Sequence, residues 1–303
     1  MTDNEFLLFD RLEKIKSVIN QYGEDNFYIS FSGGKDSCAV SALVDKALPD
    51  NKIPRVYANT GIEYNMIRNF VFDVQKRDDR IVIIKPTVPI KTMLERDGYP
   101  FKSKHHAQMW SIWNNNHSNL SAIKYKDGLY NFSSNQCPKK LKYQFSDDFN
   151  IKLSDKCCFR LKEEPLKKWQ EENNKPYAIL GIMPEEGGRR ESAKCLAFKD
   201  KGRMNFQPLV VCTKEWENWL IERFNVDICD IYKPPYNFTR TGCKGCPFAI
   251  DLQHNLDVMQ EYFPNERKQC ELIWKPVYDE YRRIGYRLRK KEDYKQMRLE
   301  DFI

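Results

Sequence analysis

Phe27-Tyr28-Ile29-Ser30-Phe31-Ser32-Gly33-Gly34-Lys35-Asp36-Ser37 decides how the rest of the chain is read. An apolar strand runs into two glycines and a hydroxyl-rich turn, and an apolar helix follows from Ser37-Cys38-Ala39-Val40. Glycines let a backbone turn sharply and approach an anion closely, so that the freed N–H groups point at it. The helix start adds unpaired donors and a partial positive charge, and Lys35 adds a full one. The pattern is a phosphate cradle. It is not a Walker A loop, which places four residues between its first glycine and Gly-Lys-Ser/Thr. An ordinary glycine turn capped by Asp36 or Ser37 is the plainer alternative.

Strand and helix alternate around this segment as a parallel sheet requires. Leu8, Leu12, Ile15 and Ile19 make one helical stripe before it. Arg55-Val56-Tyr57-Ala58 reads as a buried strand, and Met66, Phe70 and Val74 mark a helix. Ile81-Val82-Ile83-Ile84 has the composition of a central strand, and Tyr177 to Ile182 repeats that pattern. The expected fold is α/β, a doubly wound parallel sheet. In such sheets ligands sit at the carboxyl ends of the strands, where the Ser32 loop lies. Apolar periodicity fails between about residues 97 and 156, which reads as an insertion or lid carrying His105, His106, Trp110 and Trp113. Beyond Pro208 a helix begins at Thr213 as N-cap, with Trp216, Trp219, Leu220 and Phe224 on one face. The expected division is 1–200, a nucleotide-binding α/β domain, and 201–303, a helical segment that completes a metal site.

The chain has 303 residues, a net charge of +7 and ten cysteines. That length suits one large core or two modest ones. The charge is compatible with an anionic ligand without being diagnostic of nucleic acid. No apolar run reaches membrane-spanning length, and Met1-Thr2-Asp3-Asn4-Glu5 has no signal-like character, so a cytoplasmic location is expected. Free thiols or metal ligands are expected rather than a disulfide framework. Cys157-Cys158 and Cys243-Lys244-Gly245-Cys246 form two thiol pairs, the second bent by Gly242, Gly245 and Pro247. Adjacent side chains diverge on a regular element, so Cys157 and Cys158 share one metal only at an irregular turn. The pairing points to a [4Fe-4S] cluster first, to zinc as runner-up and to unliganded thiols last. Cys195 is the remaining thiol of interest as a nucleophile.

Together these motifs resemble the phosphoadenosine phosphosulfate (PAPS) reductase family, within the PP-loop or adenine nucleotide α-hydrolase-like ATP pyrophosphatases. The Ser32–Ser37 stretch is similar to their SGGxDS pyrophosphate loop. Asn59-Thr60-Gly61-Ile62-Glu63 resembles the D-T-G-x-x-F/Y strand end beside the nucleotide. Gly181-Ile182 with Arg189-Arg190-Glu191-Ser192 resembles G-x-R-x-x-E-S-R-x-R, here interrupted by Gly187-Gly188. Gln207-Pro208-Leu209 with Thr213, Trp216 and Trp219 is similar to P-L-x-x-W-T-x-x-D-V-W, and Phe238 to Gly242 resembles the approach to the second thiol pair. The resemblance spans about Asn26 to Phe248. It implies an adenine nucleotide held by Ser32, Gly33, Gly34, Lys35, Asp36 and Ser37, with Asn59, Thr60 and Gly61 beside the base or ribose. Lys35 would neutralise phosphate charge and Asp36 would hold Mg²⁺ or order the loop. Arg189, Arg190 and Arg240 would fork to a substrate anion.

Two departures matter. The reductases carry a nucleophilic cysteine in a C-terminal E-C-G-x-H tail, and Met297 to Ile303 has none. They also usually degrade the pyrophosphate loop, which is complete here as in ATP-cleaving sulfur-insertion relatives. Three classes follow: an ATP-cleaving enzyme activating a nucleic-acid or small-molecule oxygen for sulfur transfer, a sulfonucleotide reductase with a relocated thiol, and a nucleotide- and cluster-binding accessory subunit. A nucleic-acid acceptor or a sulfur-donor protein is the expected partner. The basic stretch from Tyr281 to Arg298 is either a nucleic-acid surface or a solvated helix.

Overall fold

The computed structural model describes residues 2–130, 136–186 and 192–290. They fall into two compact units, one of 1–87 with 162–241 and one of 88–161 with 242–303. Compactness thus divides the chain elsewhere than at residue 200: residues 201–241 fold with the sheet, and the stretch from 88 folds with the C-terminal third.

The first unit is built on six strands: β1 (Phe27–Ser30), β2 (Arg55–Ala58), β3 (Ile81–Ile84), β4 (Tyr177–Ile179), β5 (Leu196–Phe198) and β6 (Met204–Phe206). They lie in the order β3-β2-β1-β4-β6-β5. All neighbours are parallel except β5, which runs antiparallel to β6 at one edge. The order reverses at β1, whose partners are β2 on one side and β4 on the other, so the switch point of this doubly wound sheet lies at its carboxyl end. Ile81–Ile84 is an edge strand and not a central one. The outward winding β1, β2, β3 leaves it last in line, and most of it is only half-buried.

Alternation along the strands sends successive side chains to opposite faces. Phe27 and Ile29 pack with α1 (Asp3–Tyr22), α2 (Lys35–Ala47) and α8 (Lys214–Phe224), through Ile15, Ile19, Val40, Leu43, Trp216 and Leu220. Leu43 and Val40 are fully enclosed there, each burial contributing roughly 1.5–3 kcal/mol. Tyr28, Val56 and Ala178 face the other way, against Leu166 and Trp169 of α7 (Glu164–Glu172). On the α2 side of β2, Tyr57 packs with Phe31, Cys38 and with Val71 of α3 (Asn65–Gln75). Helix α1 starts on a capping box between Thr2 and Glu5, and Thr213 caps α8 by accepting from the Trp216 N–H at 3.1 Å.

The second unit is helical. It opens with α4 (Ile90–Asp97), and the stretch expected to be irregular contains α5 (Lys104–Asn115) and α6 (Leu120–Asp127). Its polar composition hides a small core, because the buried polar groups satisfy one another. His106 is fully buried between the Tyr125 hydroxyl, 2.8 Å away, and the Gln144 side chain, 2.7 Å away. Trp110 is buried and donates to the Gln144 carbonyl, and Trp113 donates to that of Phe145, so both tryptophans serve this core. Helices α9 (Leu252–Tyr262), α10 (Pro264–Ile273) and α11 (Lys275–Ile284) complete the unit. Among the described residues no helix is long and apolar enough to cross a membrane.

Candidate functional site

The Ser32 loop leaves β1 at the switch point, and α2 begins two residues earlier than the apolar pattern suggested. Lys35 and Asp36 therefore occupy its first turn, with Gly34 as N-cap. Gly33 adopts φ +70°, and a side chain there would come within 2.5 Å of Val71 Cγ2. Glycine is required on both counts. The Ser37 hydroxyl donates to the Gly34 carbonyl at 2.7 Å and lies 3.1 Å from the Ser32 hydroxyl, which in turn accepts from the Gly34 N–H at 3.2 Å. These bonds fix the shape of the turn. Gly181, just past β4, passes so near that a side-chain carbon would lie 2.7 Å from the Asp36 carbonyl oxygen.

Helix α8 supplies what the sequence reading missed. Lys35 donates to Asn218 Oδ1 at 2.6 Å, and Lys214 binds Asp36 Oδ1 at 2.6 Å and Glu217 Oε2 at 3.3 Å. Glu217 is completely buried, and its Oε1 has no acceptor or donor assigned to it. Burial raises its pKa to about 8, with the negative charge of Asp36 adding to the effect and Lys214 opposing it. The legible signal was the spacing 214, 217, 218, a polar stripe on a helix whose neighbouring face carries Trp216 and Leu220. Glu185 is exposed and accepts from the Lys214 backbone N–H at 2.9 Å.

Asn59, Thr60 and Gly61 stand at the carboxyl end of β2. Thr60 is buried and bonded to Glu63, so its side chain locks the turn. The Asn59 side chain accepts from the Gly61 N–H at 3.3 Å, and Gly61 (φ +78°) faces open space. Arg240 is exposed on the segment whose Tyr232 and Thr241 hydroxyls bond to each other beside Gly34. Arg189 and Arg190 lie outside the described residues, as does the tail beyond 290. Within the described part of that basic stretch, Arg282 and Arg283 are paired with Glu271 and Glu280.

Cys157, Cys158, Cys243 and Cys246 all belong to the second unit. The first pair opens a helical turn that widens into a π-helical stretch, Phe159–Glu163, the kind of irregularity two adjacent ligands require. The Cys157 thiol is held well above its ordinary range, first by a hydrogen bond with Cys158, then by burial and by the proximity of Cys158, Cys246 and Cys243. Four thiols, none of them in a disulfide, thus share one electrostatic neighbourhood. Among the described residues no three of them are already drawn together at metal-binding spacing. The donor set fits a thiolate-ligated centre, whose binding would take the protons off. Cys38, Cys137, Cys212, Cys229 and Cys270 are buried, while Cys195 is half-exposed.

The sheet order and the glycine loop at its switch point define the class: a doubly wound α/β fold with a glycine turn at the carboxyl end of β1. Within that class, residues 119–249 match the family model described as the phosphoadenosine phosphosulfate reductase domain. The match takes in both thiol pairs, and the Ser32 loop precedes it. No curated protein matches the sequence. Among solved structures the chain is similar to PAPS reductase from Candida auris in its phosphate complex, at 12% identity over 77% of this chain and 93% of that one, with a TM-score of 0.44. It is also similar to FMN adenylyltransferase from Candida glabrata with FAD and inorganic pyrophosphate, at 13% identity, 78% and 62% coverage and a TM-score of 0.47. This chain spans less than two thirds of that protein's length. The U34-tRNA thiolase NcsA from Methanococcus maripaludis, with its [4Fe-4S] cluster, overlaps at 15% identity, 90% and 80% coverage and a TM-score of 0.38. The class rests on this chain's own strand order and loop.

Proposed function

We propose that this chain binds ATP on residues 32–37 and cleaves it between the α and β phosphates, activating an acceptor for sulfur transfer. The observation that carries the reading is the complete loop at the switch point, with Lys35 and Asp36 in the first helical turn. An acceptor oxygen attacks the α-phosphorus, the bond to the bridging oxygen breaks, and that oxygen's electron pair leaves with pyrophosphate. A sulfur nucleophile then displaces AMP from the adenylylated acceptor. Lys35 offsets charge growing on the phosphates. Mg²⁺, held by Asp36, would supply further positive charge there. Asn59 and Gly61 border the base or ribose, and Arg189, Arg190 and Arg240 are the cations for an anionic substrate. A nucleic acid or a sulfur-carrying protein is the expected partner. Cys157, Cys158, Cys243 and Cys246 would hold a [4Fe-4S] cluster, with zinc as the alternative.

The family match over 119–249 favours a second reading, sulfonucleotide reduction with a relocated thiol, for which half-exposed Cys195 is the candidate. Anaerobic incubation with ATP, adenylylsulfate and PAPS in separate tubes tests both. AMP with pyrophosphate from ATP supports the first. Sulfite from either sulfonucleotide, with a thiol reductant present, replaces it with the second. No product from any of the three, with the acceptor candidates included, leaves the accessory-subunit reading standing.

A further inference from the structure

The turn that carries Cys243 and Cys246 is held by the helices that follow it. Trp274, at the junction of α10 and α11, donates its indole N–H to the Lys244 carbonyl at 3.2 Å. One helical turn on, the Tyr278 hydroxyl donates to the Gly245 carbonyl, and Tyr281 donates to that of Pro247 at 2.9 Å. The spacing 274, 278, 281 is a single helical stripe, and all three rings are essentially fully buried. In a trans peptide the C=O and the following N–H point in opposite directions. Holding these three carbonyls against the stripe therefore turns the Gly245 and Phe248 N–H groups away from it, while that of Cys246 closes the turn on the Cys243 carbonyl at 3.2 Å.

The packing leaves the turn little freedom. Gly245 has φ +60°, and a side-chain carbon on it would fall 2.4 Å from the Tyr278 hydroxyl oxygen and 2.8 Å from Cys270 Sγ. Lys244 is buried between the two thiols in sequence and bonds to Gln269 at 2.8 Å and Glu266 at 3.3 Å, both on α10. So α10 takes the turn's side chain while the stripe takes its backbone. Tyr281 does more than donate: its oxygen also accepts from the Lys102 N–H at 2.7 Å, which ties the stripe to the segment leading into α5.

We propose that Trp274, Tyr278 and Tyr281 are positioning residues for a thiolate-ligated metal centre, fixing the Cys243–Pro247 turn with the Gly245 and Phe248 N–H groups on the side where ligand charge develops. The inference rests on the reading of Cys157, Cys158, Cys243 and Cys246 as a metal site. Hydrogen-bond donors near cluster sulfurs set reduction potential and retention, so the stripe acts on the metal through the turn and without touching it.

The test uses the full chain with Tyr278→Phe and Tyr281→Phe, which keep the rings and remove only the hydroxyls, and Trp274→Phe. Each variant is reconstituted anaerobically with iron and sulfide, and thermal melting confirms that it is folded. Wild type should take up iron. The variants should lose it to a chelator about 10–100-fold faster, and the reduced proteins should show shifted electron paramagnetic resonance spectra. Wild-type loss rates and spectra in both tyrosine variants would overturn the proposal. A wild type that takes up neither iron nor zinc overturns the metal reading itself. In that event the alkylation of Cys243 and Cys246 in metal-free protein, followed by mass spectrometry, still decides whether the stripe fixes the turn: faster labelling in the variants supports its holding role, and equal labelling refutes it.

Discussion

The Lys214 ammonium lies 2.6 Å from Asp36 Oδ1, so a helix far along the chain supplies the counter-charge for the acid in the first turn of α2. The same ammonium reaches Glu217, which has no exposed surface. One cation thus stands between two carboxylates beside the phosphate loop, and burial keeps the second of them protonated into the neutral range.

That arrangement gives stability a particular pH dependence. Folding raises the Glu217 pKa from 4.5 to about 8, so the folded chain keeps a proton that the unfolded chain has lost. Stability on this account is full below pH 4.5 and is lost as pH rises toward 8, by at most about 1.4 kcal/mol per pH unit. Melting temperatures between about pH 5 and pH 8 should fall for wild type. The Glu217→Gln variant should lack that component of the decline, and an identical slope would refute the assignment.

Lys35 should matter to nucleotide binding more than to folding. Removing a charged hydrogen-bond donor to a phosphate costs about 1.5–3 kcal/mol, so Lys35→Ala should weaken ATP binding by about ten- to a hundredfold in calorimetric titration. Lys35 must leave Asn218, 2.6 Å away, to reach a phosphate. Asn218→Ala should accordingly keep affinity or strengthen it. A large loss in Asn218→Ala with none in Lys35→Ala would reverse the roles.

Gly181→Ala should separate the strand end from the loop helix. Its new carbon would meet a backbone oxygen at 2.7 Å, and such overpacking costs about 1–3 kcal/mol. Nucleotide affinity should drop with it. Gly61→Ala meets nothing within 4 Å, so it should cost only the backbone strain of a positive φ, about 1 kcal/mol. Urea unfolding and ATP titration of the pair provide the comparison.

Arg55 has no exposed surface and is bonded to Ser41, Asn51 and Asp45 behind β2. Arg55→Ala removes those bonds and leaves the volume of the side chain unfilled while Asp45 keeps Arg80 as a partner, at a cost of about 2–5 kcal/mol. Arg55→Met should lose less, because it keeps the packing. Equal losses in urea denaturation would show that charge pairing, rather than volume, governs the site.

Acid should loosen the second unit through His106. Burial lowers its pKa from 6.5 to about 3, so the unfolded chain takes up a proton that the folded one refuses. This contribution is full above pH 6.5 and is lost as pH falls toward 3. Hydrogen exchange in α5 and α6 should accelerate from about pH 7 to pH 5, after correction for intrinsic rates, by more than exchange in α2.

Where the sequence was legible, a strong local signal coincided with the tertiary answer. The strands Arg55–Ala58 and Ile81–Ile84, the N-cap Thr213 and the stripe of α1 appear where pattern placed them. Strands β5 and β6 are three residues each, too short to carry a period. Helices α5 and α6 escaped notice because their inward side includes His106 and the hydroxyl of Tyr125, polar groups that bond to each other and to the distant Gln144 and Lys102. The loop glycines announced the turn between β1 and α2. Lys214 and Glu217 did not announce themselves, because their partner Asp36 lies far away in sequence and no periodicity connects them.

The interleaving of the two units bears on how the chain is made. Cys157 and Cys158 leave the ribosome well before Cys243 and Cys246, and the whole of Lys162–Thr241 belongs to the other unit. A nascent chain can therefore finish its sheet while the first thiol pair still waits for its counterpart, with α4 to α6 lacking the aromatic stripe of α11. Synthesis halted at Thr241 would yield a complete sheet unit and a stranded half of the thiol-bearing one. Timing thus sets when the four thiols can first come together.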